Sequence, residues 1–291
     1  MKRLTFLLLL NVLFATAQTP KDSIAIVNSP WLIERIAKGV VWKRVHFQQS
    51  DLFDADQNIN IIEIENRRKK LTWEIITADS LSKKDKKRGQ LRPTSQLAKE
   101  NNAQIAINGG FFDVKNGGSV DFIKVKGQTP DTTRASKGTK ASFHGQAAVV
   151  LEKNKIKLKK GEQSVGWEYF LPYNNILLSG PLLRWEGKDE LLPKNAFNDN
   201  RHPRSCICTT KSNTTLLITV DGRASESYGM NLAELTYLTR LLGCSSALNL
   251  DGGGSTTLWI KEKGVVNYPS DNKKFDHEGE RSVSNAIILK W

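Results

Sequence analysis

Histidine and cysteine are scarce, four and three in 291 residues, and none of them fall at the pair spacings that build a zinc site. Three cysteines are too few for a disulfide framework and cannot all pair. Cys206 and Cys208 are separated by one residue in a strand-like run, so their side chains share a face and are poorly placed to bond each other. Buried free thiols are the expectation, with a bridge from either one to Cys244 as the alternative. Beyond residue 14 there is no apolar run approaching the length a membrane helix needs. Internal repeats and flexible linkers are also missing, which argues against solenoids and bead-on-string architectures. Acidic residues are outnumbered, 30 against 43 Lys and Arg.

The first residues, "MKRLTFLLLLNVLFATAQTP", combine two early cations, a short apolar run and the small-x-small site Ala15-Thr16-Ala17. This is the layout of a secretory signal peptide over residues 1–17. No cysteine stands near the cleavage site, so no stable membrane anchor is expected and the mature chain reads as exported, periplasmic or secreted. Removing Lys2 and Arg3 from the 43 basic residues leaves 41 against 30 acidic, a net of +11. A basic surface invites an anionic partner. The lysine-rich runs "KKDKKRGQ" (83–90) and "KNKIKLKKG" (153–161) lack interleaved aromatics and any nucleic-acid motif, so nucleic acid is not expected to be that partner. The oligomeric state is left open.

Residues 18–39 form a lead-in, with a short helix over 22–38, and residues 40–291 form one domain. Apolar runs at 40–47, 59–65, 71–76, 103–108, 122–127, 146–160, 175–185, 204–210, 215–221, 246–250, 256–260 and 284–291 read as strands. A short helix follows Thr94 or Ser95. The clearest helix is "NLAELTYLTRLLG" (231–243): Asn231 and Glu234 complete a capping box, Gly243 ends it, and Leu232, Leu235, Leu238 and Leu242 form one apolar stripe. Strands dominate without βαβ alternation, giving an α+β fold: a single domain with a mixed, strand-rich core and a few flanking helices.

The stretch "SALNLDGGGSTTLWI" (246–260) breaks a good strand pattern with an acid and three glycines. A hairpin needs one or two glycines; three leave the backbone bare, as though for close approach by a ligand. Asp221 ends "TLLITV" as Asp251 ends "SALNL", and each precedes a glycine. A carboxylate held where a buried strand meets a loop is rigid yet open on one side, as acid/base catalysis requires. The plain alternative is an Asp-Gly turn. Successive glycine N–H groups also suit an anion, although no lysine follows to make a nucleotide loop. Arg204, Arg223 and Arg281 flank strand ends and can grip a phosphate. Asn108 and Asn249 occupy like positions, either tying loops or reading sugar hydroxyls, and His202 in "RHPRS" reads as structural. In "DADQNINIIEIE" (54–65) Asp54, Asp56, Asn58 and Glu65 have calcium-loop spacing. The sixth position is Ile59 where glycine is needed, so a solvated turn is expected.

"INGGFFD", "SGPLL", "RHPRS", the long run from Val220 to Leu258 and "ERSVSNAIIL" occur in that order and resemble the phosphodiester glycosidase family over roughly residues 40–291. The resemblance implies hydrolysis of an α-glycosyl phosphodiester in a glycan, with N-acetylglucosamine as one sugar, and needs no metal or cofactor. It carries Asn108, Gly109, Gly110, Asp113, Arg204, Arg223, Asn249, Gly252, Gly253 and Arg281 over as substrate-binding positions, together with Gly222. Asp251 and Asp221 fill the catalytic roles, with Glu234 as a substitute for either. Cys206 and Cys208 depart from the family's small apolar residues, and the 81–90 loop has no counterpart there. Two rivals use the same residues: a non-catalytic binder of anionic cell-envelope glycans, and a glycosidase for ordinary α-glycosides.

Overall fold

A computed structural model describes residues 20–67, 70–79, 81, 89–133, 143–153, 155–161 and 166–291. The expected signal peptide and most of the 83–90 lysine run lie outside them. The largest sheet has eight strands, in the order Leu32–Ala37, Val40–Leu52, Ala55–Glu65, Thr214–Val220, Arg204–Thr210, Cys244–Asn249, Leu182–Trp185 and Lys188–Asp189. A second sheet contains Lys155–Lys160, Ala147–Glu152, Ile176–Ser179, Ile123–Val125 and Gln128–Asp131. The third contains Gly264–Val265, Leu258–Ile260, Ile105–Asn108, Asn285–Lys290 and Thr72–Thr77. The α+β reading holds, and the expected mixed core narrows to antiparallel pairing at every described ladder.

The inner faces of the three sheets share one core. Ile62, Leu217, Ile207 and Leu248 of the large sheet meet Val149 and Leu177 of the second and Ile107 and Ile287 of the third. The opposite face of the large sheet is covered by the helix Leu232–Leu241, whose Leu232, Leu235 and Leu238 are fully buried. Each such leucine contributes about 1.5–3 kcal/mol. Its capping box forms as expected: Asn231 accepts from Glu234 N–H, and the Glu234 carboxylate accepts from Asn231 N–H. Among the described residues no helix is long and apolar enough to cross a membrane.

Several local expectations are corrected. The lead-in helix runs only over Pro20–Asn28. Ser29 and Pro30 stop it, because the residue before proline is driven out of the helical region. Leu32–Ala37 then pairs as a strand with Val40–Leu52, across a turn in which Gly39 has φ 79°. Pro93, with no side-chain cap, precedes the helix Thr94–Glu100, so neither Thr94 nor Ser95 caps it. The 54–65 segment is a left-handed turn at Asp54 leading into the strand Ala55–Glu65. Cys208 and Cys244 form a disulfide across neighbouring strands, with Cα atoms 5.8 Å apart, and Cys206 alone stays free and buried. The side chains of Cys206 and Cys208 do share a face, since both lie in the cluster under the helix.

Candidate active site

The strand ends at Asn108, Val220 and Asn249 and the strand starts at Arg204 and Asn285 meet at one edge of the shared core. The strand Ile105–Asn108 runs into Gly109 and Gly110. Asn108 is fully buried; its Nδ2 donates to the Asp251 carbonyl at 2.7 Å, and its Oδ1 accepts from Ser205 Oγ at 2.6 Å and Thr257 N–H at 3.1 Å. Asp251 N–H donates to the Gly109 carbonyl at 3.0 Å. A β-carbon on Gly109 would fall on Asn285 Oδ1, the atom that accepts from Gly110 N–H at 2.7 Å. Asn-Gly-Gly is therefore the locking piece between the "INGG" turn, the Asp251 loop and the strand Asn285–Lys290.

The three glycines after Asp251 are each approached closely, but by the protein itself. A β-carbon on Gly252 would stand 2.6 Å from the Pro203 carbonyl, which also accepts Gly253 N–H at 2.8 Å. One on Gly253, at φ +61°, would stand 2.9 Å from Arg223 Nη2, and one on Gly254 would stand 2.7 Å from Arg281 Nη2 and fall against Asp271 Oδ1. The expectation of a bare backbone open to substrate is thus corrected. The glycines let two guanidinium groups seat directly on the chain.

Asp251 is half-buried at this edge, and its Oδ1 accepts from Gly252 N–H at 2.9 Å. Burial pushes its pKa up to about 6, against the opposing pull of the Ser255 side chain, Gly252 N–H, Arg281 and Arg223. Arg223 is exposed and holds φ +65°, a left-handed conformation unusual for a residue with a side chain. Among the described residues its guanidinium has no hydrogen-bond or ion-pair partner. Strain and an unpartnered cation at one residue are what a ligand-gripping position shows. Arg281 donates to Asp271 Oδ1 from Nε at 3.0 Å and Nη2 at 2.5 Å. His202 is half-buried, and burial together with the Arg204 and Arg223 cations holds its pKa below the ordinary value.

Other sequence-selected residues are committed elsewhere. Asp221 is fully buried: Asn58 Nδ2 donates to its Oδ2 at 2.6 Å, and Asn267 Nδ2 (2.8 Å) and Tyr268 N–H (2.9 Å) donate to its Oδ1. Its burial raises the pKa and these donors oppose the rise. A β-carbon on Gly222 would meet Pro203 N and Gly229 Cα, both at 2.9 Å. Arg204 is buried beside the Phe197 ring and donates to the carbonyls of Met230, Phe197 and Asn200. Glu234 is taken by its own cap and by Arg201, whose Nε and Nη2 bond the carboxylate. Asn249 Nδ2 donates to the Gly180 and Leu250 carbonyls. Asp113 accepts Lys115 and Asn116 N–H within its own turn.

The structure therefore brings Asp251, Arg223, Arg281 and the glycines together and surrounds them with a frame built from Asn108, Asn249, Asp221 and Arg204. No catalytic or binding signal in the sequence marks Asp271, Asn267 or Asn285, and Asn58 stands out only by its calcium-loop spacing. Asn285 lies within a quoted motif, whereas Asp271 in "YPSDNKK" carries only a turn signal. Among the described residues no group of three or more His, Cys, Asp or Glu is placed to hold a metal. A carboxyl that titrates near neutrality beside two guanidinium groups can exchange a proton next to a bound anion.

The family model for phosphodiester glycosidases matches residues 101–290. A 91-residue stretch is 37% identical to the SPbeta prophage-derived uncharacterized protein YomE of Bacillus subtilis strain 168, covering 31% of this chain and 13% of that protein. Among solved structures, the zebrafish N-acetylglucosamine-1-phosphodiester alpha-N-acetylglucosaminidase catalytic domain, auto-inhibited by its pro-peptide, matches with a TM-score of 0.69 at 16% identity, covering 89% of this chain and 85% of that one. A hypothetical protein from Synechocystis matches with a TM-score of 0.64 at 17% identity. This match covers 89% of the chain but only 63% of the Synechocystis protein. At such identities the structural likeness speaks for the fold alone.

Proposed function

The chain belongs to the phosphodiester glycosidase family, and from that premise we propose that it is an exported hydrolase cleaving an α-glycosyl phosphodiester linkage in a glycan. The observation that carries this reading is the half-buried Asp251 carboxyl, its pKa pushed up to about 6, on a glycine run seated under Arg223 and Arg281. Water adds to the anomeric carbon, the bond from that carbon to the phosphate oxygen breaks, and the phosphate leaves as a monoester. Arg223 and Arg281 grip the phosphate and take up the charge that builds on it as the bond opens. Asp251 exchanges the proton, its raised pKa keeping both protonation states populated near neutral pH. Asp221, Glu234, Asn108, Asn249 and Arg204 act as the frame that fixes this geometry.

Residues 40–291 are taken as the working domain, with residues 1–17 removed on export. The disulfide supports an oxidising destination. The test is incubation of the purified protein with an α-N-acetylglucosaminyl phosphodiester and with an uncharged α-N-acetylglucosaminide, following free sugar. Release from the phosphodiester at a far higher rate is expected. Absence of release from every α-glycosyl phosphodiester tried would sink the proposal.

A further inference from the structure

Charge is counted out narrowly at the glycine edge. Arg223 covers Gly253 and Arg281 covers Gly254, which alone would make a doubly positive seat. Asp271 lies on the same face of Gly254 and is bound to Arg281 by two N–H groups, bringing these three side chains to a single net positive charge, which the seat keeps while Asp251 is protonated. Asp271 has no fold-building duty that demands a charge there. Its backbone N–H donates to Gly279, and its side chain is exposed at the surface. An isolated surface ion pair of this kind adds little stability, so its position against the glycine run asks for another reason.

A phosphodiester carries one negative charge, and a phosphomonoester, whose second pKa is near 6, carries close to two at neutral pH. Resting on the function proposed above, we propose that Asp271 is a specificity-determining residue, tuning the phosphate seat to the singly charged diester and expelling the doubly charged monoester that hydrolysis produces. The reaction itself supplies the switch. When the bond to the anomeric carbon breaks, its electron pair stays on the phosphate oxygen, and loss of a proton to solvent leaves the second charge. The seat that balanced the substrate then faces an excess negative charge beside the Asp271 carboxylate. Like charges at such range repel, and product leaves.

The test uses dimethyl phosphate and methyl phosphate, the simplest diester and monoester, titrated at pH 8 into wild-type protein and Asp271→Asn by calorimetry or NMR. Wild type is expected to bind the diester at least as tightly as the monoester. Asp271→Asn is expected to shift the ratio toward the monoester by about tenfold, and to show a matching rise in product inhibition during turnover. Asp276→Asn, which removes a charge from the same loop without touching the glycine run, should leave the ratio where it is. An unmoved ratio in Asp271→Asn, an equal shift in Asp276→Asn, or no saturable binding of either ligand to either protein would overturn the inference. Because binding is read without turnover, a moved ratio with no sugar release would overturn the proposed hydrolysis alone. Sugar release with an unmoved ratio would overturn this inference alone.

Discussion

Asp221-Gly222 and Asp251-Gly252 are the same dipeptide at the same place, the end of a buried strand, and they have opposite fates. Asp221 is enclosed and receives three donors, from Asn58, Asn267 and Tyr268. Asp251 keeps an edge toward solvent, receives Gly252 N–H and faces the guanidinium groups of Arg223 and Arg281. Burial raises the pKa of both. The difference lies in how many donors are committed beforehand. A carboxylate whose oxygens are already satisfied is a strut, and one left short of partners is free for the catalytic role proposed for Asp251.

The sharpest break of this contrast is Asp251→Asn, for which we expect sugar release to fall about 10²–10⁴-fold, the range typical of losing a general acid or base. The fold should be retained, as circular dichroism and a melting curve would confirm. Asp221→Ala should do the reverse. Three buried donors lose their acceptor at about 1–3 kcal/mol each before relaxation, so denaturant titration should register a loss of several kcal/mol. A normally stable Asp221→Ala protein without turnover would invert the comparison. The arginines extend it. Arg223→Ala should lower kcat/KM for the phosphodiester by about 10–150-fold, the equivalent of one charge-assisted contact of about 1.5–3 kcal/mol, while leaving the melting temperature intact. Arg204→Ala should instead strip three carbonyls of their shared buried donor and melt early.

Acidity sharpens the contrast further. A carboxyl raised to about 6 binds its proton more tightly in the folded chain than in the unfolded one. Its stabilising contribution is therefore full at pH below about 4 and lost as pH rises through about 6. Asp251→Asn should accordingly be more stable than wild type at pH 7, by about 1–3 kcal/mol, with the gain vanishing in acid. Melting curves across pH 4–8 would check this. The smallest effect is expected from Glu234→Gln, which keeps part of the cap and loses the Arg201 pair, costing about 1 kcal/mol. Its preference for phosphodiester over uncharged glycoside should match wild type.

Much of this arrangement was legible in the sequence because it is local. The capping box at Asn231 and Glu234, the leucine stripe behind it and the strands that end at Asn108, Asp221 and Asp251 follow from periodicity and turn chemistry. The Asp251 glycines were legible as a place of close approach, although what approaches is Arg223 and Arg281. The partners of Asp221 were not legible. Asn58 and Asn267 stand 163 and 46 residues away, and nothing near either asparagine announces the pairing. The direction of an arginine is equally hidden: Arg204 and Arg223 each adjoin a strand end, yet one turns inward to carbonyls and the other outward. The segment 32–37 reads as helix in the sequence because its apolar spacing fits both periods, and only its pairing at the edge of the large sheet decides for strand.

The disulfide between Cys208 and Cys244 has a consequence for when this protein can work. It closes a segment of 36 residues in sequence separation that contains the Asp221–Arg223 turn and the long helix. It also fastens the strand that starts at Arg204, next to the Pro203 carbonyl gripping Gly253, to the strand that delivers Asp251. Such a closure is worth about 3–4 kcal/mol in the chain-entropy account. In a reducing cytoplasm the two halves of the glycine edge would be aligned by sheet hydrogen bonds alone, and the crosslink would form only after transit to an oxidising space. On the proposed export, maturation is tied to address: a chain retained at its place of synthesis would be the looser molecule, and the delivered one would be fastened across its glycine edge.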